Sequence, residues 1–433
     1  MAIMTNTPFT PTPASSKDPY LFLHEEYKGV SIYSNKLDWA PCVHIRFGFF
    51  VGAVDDPTGK EGLSHFLEHL PFNGSKAFPD IEAVKQFSKD FLLDSFNART
   101  SSNSTMYQCR ALPEHAIEAI RGMADICFNP LLTDADIERE RNIITQEAWG
   151  RLRNQKYINH LRREIGSIYQ NHPAGRFYSP LGWPETIAAT TAEDLRSWHK
   201  AQYHRGNLCV VLVGAVTDSQ IETVKQTIDL MPEGARLPDL TPPTGWPTPK
   251  EEHIEVTSGE IGIPSEQATI YYSRILPTNH HTLAVGNITR AFLHEILFTE
   301  LREKRGLLYG LSADISINKD ITEHSIYIDL GDDKIAEAET AVRNEIDKIL
   351  TGAYANIFEK EKRLRIDRIK AAEFNSGSIA NDAFSDIEYF DHPITLAENL
   401  REAEAVTHED AVNLIREVLR PETLYRGIIR ASK

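Results

Sequence analysis

The sequence predicts an α+β fold built from two mixed α/β half-domains of similar design, joined by a proline-rich linker. Three observations carry that prediction. The chain has 433 residues, too many for one ordinary core, and roughly 200 residues per domain is the natural division. From Pro232 to Pro249 it reads PEGARLPDLTPPTGWPTP, and six prolines in these eighteen residues continue neither a helix nor an inner strand. On either side of this stretch the periodic segments follow one another in the same order. The expected divisions are a disordered leader over 1–18, a first domain over 19–231, the linker over 232–250 and a second domain over 251–433.

In the first half, His44–Val54 alternates, with Ile45, Phe47, Phe49 and Val51 on one face, and reads as a strand. A helix is expected through Gly62–Phe72, then a strand over Thr100–Leu112. Helices follow at Glu114–Cys127 and over about Asp134–Ile168, and a buried strand at Asn207–Val213. In the second half, Gln267–Leu276 reads as a strand and Leu283–Lys304 as a helix. Strands at Tyr309–Ile317 and His324–Leu330 precede helices at Lys334–Leu350 and Ala355–Phe374. A helix near Glu409–Leu419 and a strand at Thr423–Ile429 close the chain.

Composition narrows the function classes. Hydrophobic residues make up 41% and charged residues 25%, ordinary for a globular protein. No apolar run approaches the ~18 residues needed to cross a bilayer. The leader, MAIMTNTPFTPTPASSKDPY, has neither a basic start nor an apolar core, so it does not read as a signal peptide. A formal net charge of -16 argues against nucleic acid or an anionic membrane as partner. It suits basic peptides and equally a plain solubility role. Cys42, Cys109, Cys127 and Cys209 are scattered with no C-x-x-C spacing, so buried free thiols and a cytoplasmic location are expected.

The chemistry centres on His65-Phe66-Leu67-Glu68-His69. Residues three and four apart share a helix face, so His65, Glu68 and His69 point the same way. Two imidazoles at that spacing can bind one Zn²⁺, while Phe66 and Leu67 anchor the opposite face. Glu68, beside the metal and not needed as a ligand, can take a proton from bound water. This is the H-x-x-E-H arrangement, the inverse of H-E-x-x-H. The bland reading is two half-exposed histidines on an amphipathic helix. Of the sixteen histidines only this pair has i, i+4 spacing.

A third ligand should come from another element. The segment IERERNIITQEAWG offers Glu138, Glu140 and Glu147. Glu140 and Glu147 are two helical turns apart on one face, and Glu138 points away. Without further context, a plain solvated face explains them as well.

Together these residues resemble the inverzincin metallopeptidases of the pitrilysin family, which includes mitochondrial processing peptidase and insulin-degrading enzyme. That family pairs H-x-x-E-H with a Glu ligand about 75–80 residues later and a supporting Glu seven residues before it. Here His69 and Glu147 are 78 positions apart (147 − 69), and Glu140 stands seven before Glu147. The resemblance implies a mitochondrial processing peptidase-like fold and one Zn²⁺ per chain, held by His65, His69 and Glu147. Glu140 would orient Glu147 and Glu68 would act as general base.

Further matches are Gly62-Leu63-Ser64, Phe72-Asn73-Gly74-Ser75, Tyr107, His172-Pro173, Leu181-Gly182 and Tyr203. Asn97, Ala98, Arg99 and Thr100 resemble the edge strand that pairs with substrate backbone. Leu301-Arg302-Glu303 and Arg305-Gly306-Leu307-Leu308-Tyr309 resemble the second half's signature. By that resemblance Arg302 and Tyr309 reach the substrate backbone and the developing oxyanion across a chamber.

The implied activity is zinc-dependent endopeptidase action on peptides or unfolded chains. Assembly as a homodimer is implied, or as a heterodimer with an inactive relative. A non-catalytic or regulatory subunit is the alternative, disfavoured by the intact motif. A zinc hydrolase of small molecules is disfavoured by the Arg302/Tyr309 pair. The sequence departs from the family at Phe91–Phe96, where a Gly-rich turn is usual, and at Arg99, where an aromatic residue is usual. It also lacks a Gly-rich bend before Arg302. Arg99 would favour an acidic or polar substrate side chain near the cleavage point.

Overall fold

Alternation in the sequence builds two sheets. The structure, a computed structural model, describes residues 18–94, 96–170, 172–177, 179–236, 252–371, 375–421 and 424–432. The expected leader up to residue 17 and the linker from residue 237 onward lie outside the described residues.

The first half runs β1 (Leu23–Tyr27), β2 (Val30–Lys36), β3 (Val43–Phe49), α1 (Leu63–His69), α2 (Ile81–Phe91), β4 (Asn97–Thr100) and β5 (Thr105–Ala111). It continues α3 (Ala116–Phe128), α4 (Asp134–Leu152), α5 (Gln155–Tyr169), α6 (Pro184–Ala189), α7 (Ala192–Gln202), β6 (Leu208–Gly214) and α8 (Asp218–Asp229). The second half runs β7 (Glu252–Thr257), β8 (Ala268–Pro277), α9 (His280–Leu297), β9 (Leu308–Ile317), β10 (Ile321–Leu330) and α10 (Ile335–Leu350). Then come α11 (Ala355–Ala371), α12 (Ser376–Phe390), α13 (Leu396–Ala405), α14 (His408–Val418) and β11 (Tyr425–Arg430). No described helix is long and apolar enough to cross a membrane.

The two halves share a strand programme. The first sheet has the order β1-β2-β6-β3-β5-β4 and the second β7-β11-β8-β10-β9. In each, one parallel pair (β2 with β6; β7 with β11) is followed by antiparallel pairs out to the far edge. Removing β1 superimposes one order on the other, so β4 and β9 are equivalent edge strands and α1 and α9 equivalent helices. The duplication read from element order is present in the topology.

Several expected elements divide where local chemistry interrupts them. The single strand over Thr100–Leu112 is a hairpin: Ser101-Ser102-Asn103-Ser104 turns back, with Ser101 N donating to Ser104 O at 2.8 Å. The single helix over Asp134–Ile168 breaks at Arg153, which takes φ +60°. Asn154 then caps α5, its Oδ1 accepting from Tyr157 N at 3.0 Å while its amide donates to Gly262 O at 2.7 Å in the other half. The helix over Leu283–Lys304 is α9 followed by a π-turn at Phe298–Glu303. Residues 372–374 at the end of the expected Ala355–Phe374 helix lie outside the described residues.

The polar face of β3 is not a solvent face. Ile45, Phe47 and Phe49 join the main core under the helices, whereas His44, Arg46 and Gly48 are covered by α12 from the second half. His44 Nε2 lies 3.0 Å from Ser376 Oγ, and Arg46 reaches Asn381 Oδ1 through Nη2 at 3.1 Å. Alternate residues of β6 divide the same way: Val210 and Leu212 face the helices, Cys209, Val211 and Val213 face α12. All four cysteines are buried and free. Phe384 of α12 lies so close to β3 that a Cβ on Gly48 would come within 1.8 Å of its ring. Gly48→Val is therefore expected to cost about 1–3 kcal/mol by overpacking, read as a lowered midpoint in thermal or denaturant unfolding.

Candidate metal centre

Helix α1 begins where two glycines let backbones touch. Gly62 (φ +96°) and Gly182 (φ +68°) adopt left-handed conformations, and a Cβ on Gly182 would lie 2.0 Å from Glu61 O. Buried Asp56 completes the start, accepting from Gly62 N at 2.8 Å, Ser64 N at 2.9 Å and Ser64 Oγ at 2.6 Å. These bonds satisfy N–H groups left without a partner at the start of the helix and fix its rotation. Phe66 and Leu67 are fully buried in the core, so the opposite face, with His65, Glu68 and His69, turns toward α4.

There the donors converge. One ligand atom each from His65, His69 and Glu147 lie within 4.8 Å of one another. His65 Nε2 is 3.9 Å from Glu147 Oε2. A tetrahedral ion with bonds of roughly 2.0–2.2 Å sets neighbouring donors about 3.4 Å apart, so modest side-chain closure completes a site. Burial, with help from His69 and Arg151, holds the His65 imidazole down at about 3, leaving it neutral with a lone pair to give at physiological pH. His69 is also desolvated, but its contact with Glu140 and the nearby carboxylates of Glu68 and Glu147 outweigh this and raise its pKa. His69 Nδ1 faces Glu140 Oε2 at 3.4 Å, which makes Nε2 the lone-pair nitrogen. Two imidazoles and one carboxylate match a zinc donor set.

Supporting contacts surround these donors. Glu140, expected to orient Glu147, instead contacts His69; it is 7% exposed and receives a second bond from Asn73 Nδ2 at 3.1 Å. Glu147 Oε1 lies 3.6 Å from Arg151, one turn further along α4. Glu138 turns away and pairs with Arg141 at 3.1 Å, as its helical phase requires. Glu140→Ala is expected to weaken zinc affinity by about 10- to 100-fold, measured by competition with a chromophoric chelator.

Glu68 is also buried, and burial raises its pKa, opposed by a hydrogen bond from Thr100. Thr100 Oγ1 donates to Glu68 Oε2 at 2.6 Å. Thr100 belongs to β4, the outer edge of the first sheet, so Asn97–Thr100 offers one free strand edge beside the donors. Behind it, Tyr107 is fully buried, with its hydroxyl 3.0 Å from that of Tyr203 and 3.5 Å from Glu68 O.

Other expected residues fall elsewhere. Arg99 points to the opposite face of β4 from Thr100, donating from Nη2 to Ser385 Oγ of α12 at 3.2 Å. It therefore faces the second half, not the donors. Arg302 stacks on Phe298 at 5.0 Å and Tyr309 is 59% exposed at the start of β9. Strand β9 packs on β10 and α9, and no described hydrogen bond or ion pair joins Arg302 or Tyr309 to the donor residues. From the atypical stretch, Leu92, Leu93 and Phe96 help wall an apolar groove of about 490 Å³ with Phe72, Ile81 and Val84. Asn73, Asp56 and Arg151 also support the site, beyond the residues expected from the sequence. Arg151 carries a local signal in its i, i+4 spacing from Glu147, and Asn73 stands in the matching stretch Phe72-Asn73-Gly74-Ser75.

The chain as a whole is similar to known proteins. The family profile described as insulinase (peptidase family M16) matches residues 34–176, and that described as the peptidase M16 inactive domain matches residues 189–364. An uncharacterized zinc protease of Rickettsia felis is 26% identical over 325 residues, covering 74% of this chain and 76% of that protein. A protease from Helicobacter pylori of known structure has a TM-score of 0.81 at 19% identity, covering 95% of this chain and 99% of that one. The first half of the periplasmic protease PqqL from Escherichia coli has a TM-score of 0.78 at 16% identity, covering 97% and 94%.

Proposed function

This chain belongs to the pitrilysin (M16) family of peptidases, and from that premise we propose that it is a zinc-dependent endopeptidase acting on peptides or unfolded polypeptides. One observation carries the proposal: His65, His69 and Glu147 converge within 4.8 Å, with Glu68 alongside and tied to a free strand edge through Thr100. Bound zinc, one per chain, would supply Lewis-acid polarisation of the scissile carbonyl and a water of lowered pKa.

The chain's own residues do the rest. The edge of β4 at Asn97–Thr100 takes the peptide as an added strand through main-chain hydrogen bonds, which tolerate varied sequence. The Glu68 carboxylate removes a proton from the attacking water and returns it to the leaving amine. Glu140 orients His69 through Nδ1. Arg302 and Tyr309 act on the substrate backbone and the developing oxyanion of a chamber site. Since they lie in the second half and no described bond joins them to this chain's own donors, a second copy can supply them, and we infer a homodimer that encloses the substrate. A heterodimer with an inactive relative is the other assembly that this division of parts allows.

The alternative of a non-catalytic or regulatory subunit draws on the inactive-domain profile over residues 189–364, but the complete donor set in the first half favours an enzyme. The buried free thiols suit a reducing compartment, so a cytoplasmic location is part of the proposal. Because Arg99 is turned to α12, the apolar groove beside Phe96 is the better candidate for side-chain selection.

The direct test is cleavage of unstructured peptides by the purified chain. Hydrolysis that stops on treatment with a metal chelator and returns on adding zinc supports the proposal. Hydrolysis indifferent to the chelator sinks it.

A further inference from the structure

We propose that Glu388 of α12 is a positioning residue for the edge strand that holds the general base, so that the second half controls the geometry of the first half's active site. The proposal rests on the peptidase reading above and adds a residue to it.

Strand β4 is a weak element by itself. It has four residues and one neighbour, pairing with β5 only from Asn97↔Gln108 to Thr100↔Thr105. Short edge strands fray unless something holds them. Yet Thr100 must stay fixed for its hydroxyl to remain on Glu68 at 2.6 Å.

Helix α12 supplies the hold from the other face. Ser385 accepts from Arg99 Nη2 at 3.2 Å, and one turn later Glu388 Oε1 accepts from Ser101 Oγ. Arg99, in the strand, and Ser101, just past its end, both turn to α12, and Ser385 and Glu388 are three apart on one helix face. The two spacings match, so the helix grips the chain immediately before and after Thr100. Thr100 itself points the other way, to Glu68.

The Glu388 grip is buried and branched. Glu388 is 2% exposed. Its partner Ser101 holds the turn, its hydroxyl receiving from Asn103 N at 3.2 Å and Ser104 N at 3.0 Å. The same turn anchors the loop before α1: Ala53 N donates to Ser101 O at 3.1 Å and Val54 N to Ser102 O at 2.9 Å. Shortly beyond lies Asp56, which caps α1. One carboxylate from the second half thus steadies the turn on which both Thr100 and the start of the metal helix depend. No described bond joins Glu388 to the donor residues, and it acts through the turn.

The test compares wild type with Glu388→Ala, Glu388→Gln and Ser101→Ala at equal zinc content, using peptide hydrolysis and amide hydrogen exchange. Glu388→Ala is expected to lower kcat by about 10-fold or more, since small misplacements of catalytic groups are costly. KM should rise less. Glu388→Gln keeps an acceptor for Ser101 and should recover most of the loss. Exchange should accelerate at residues 97–104 and stay unchanged in β3 and β6. Ser101→Ala breaks the same contact without touching α12, and serves if Glu388→Ala does not fold. Wild-type kcat and exchange in both Ala variants would overturn the proposal. So would loss spread over β3, β6 and α12 that Gln does not rescue, since that marks a general packing role. If wild type hydrolyses no peptide, the peptidase reading has failed separately, and exchange at 97–104 still decides whether Glu388 holds the strand.

Discussion

Glu68→Gln is expected to reduce peptide hydrolysis by about 10²- to 10⁴-fold, the usual contribution of a positioned general base, while bound zinc stays at the wild-type level. Glutamine keeps the shape of the side chain and an acceptor for the Thr100 hydroxyl, which now donates to Glu68 at 2.6 Å. It removes only the ability to carry a proton. Glu68 is not among the converging donors, so its loss as a base leaves the metal donor set intact. Steady-state cleavage of a fluorogenic peptide together with elemental analysis of the same sample separates the two effects. A variant that lost zinc along with activity would recast Glu68 as a ligand.

Glu147→Ala is the second large effect. It is expected to weaken zinc binding by more than about 100-fold, beyond what removal of a supporting residue costs, with hydrolysis lost at limiting zinc. The carboxylate is the only donor on α4 facing His65, at 3.9 Å. Without it, two imidazoles on one helix remain, and a site built for three protein ligands falls short. The comparison with Glu140→Ala is informative because the two glutamates occupy one helix face. Zinc competition should rank wild type above Glu140→Ala and Glu140→Ala above Glu147→Ala. The reverse order of the two variants would exchange their roles.

The parts legible in the sequence were those that local periodicity reports. The i, i+4 spacing on α1 and the two-turn spacing on α4 each define one face, and both faces are found turned to a common point. The repeated strand order follows from the same kind of signal. What was not legible is what covers a face. The alternation of β3 showed that His44, Arg46 and Gly48 share a side, but nothing local shows that this side is buried beneath α12, more than 300 residues later.

Arg99 illustrates the same limit. Its place in the edge strand was readable, whereas its direction depends on Ser385, 286 residues away. Helix α12 itself, SGSIANDAFSDIEYF, is rich in small and polar residues whose helix preference is modest, and packing against the sheet makes it helical. The breaks at Ser101–Ser104 and Arg153–Asn154 interrupt segments whose overall periodicity still reads as one element.

The central claim is a zinc held by His65, His69 and Glu147 with Glu68 as the base beside it. Its most direct test is elemental analysis of the purified chain paired with peptide cleavage, on wild type and Glu68→Gln side by side. The account predicts one zinc per chain in both proteins and cleavage by wild type alone. A chain without stoichiometric zinc, or a Glu68→Gln variant that cleaves as fast as wild type, would contradict it.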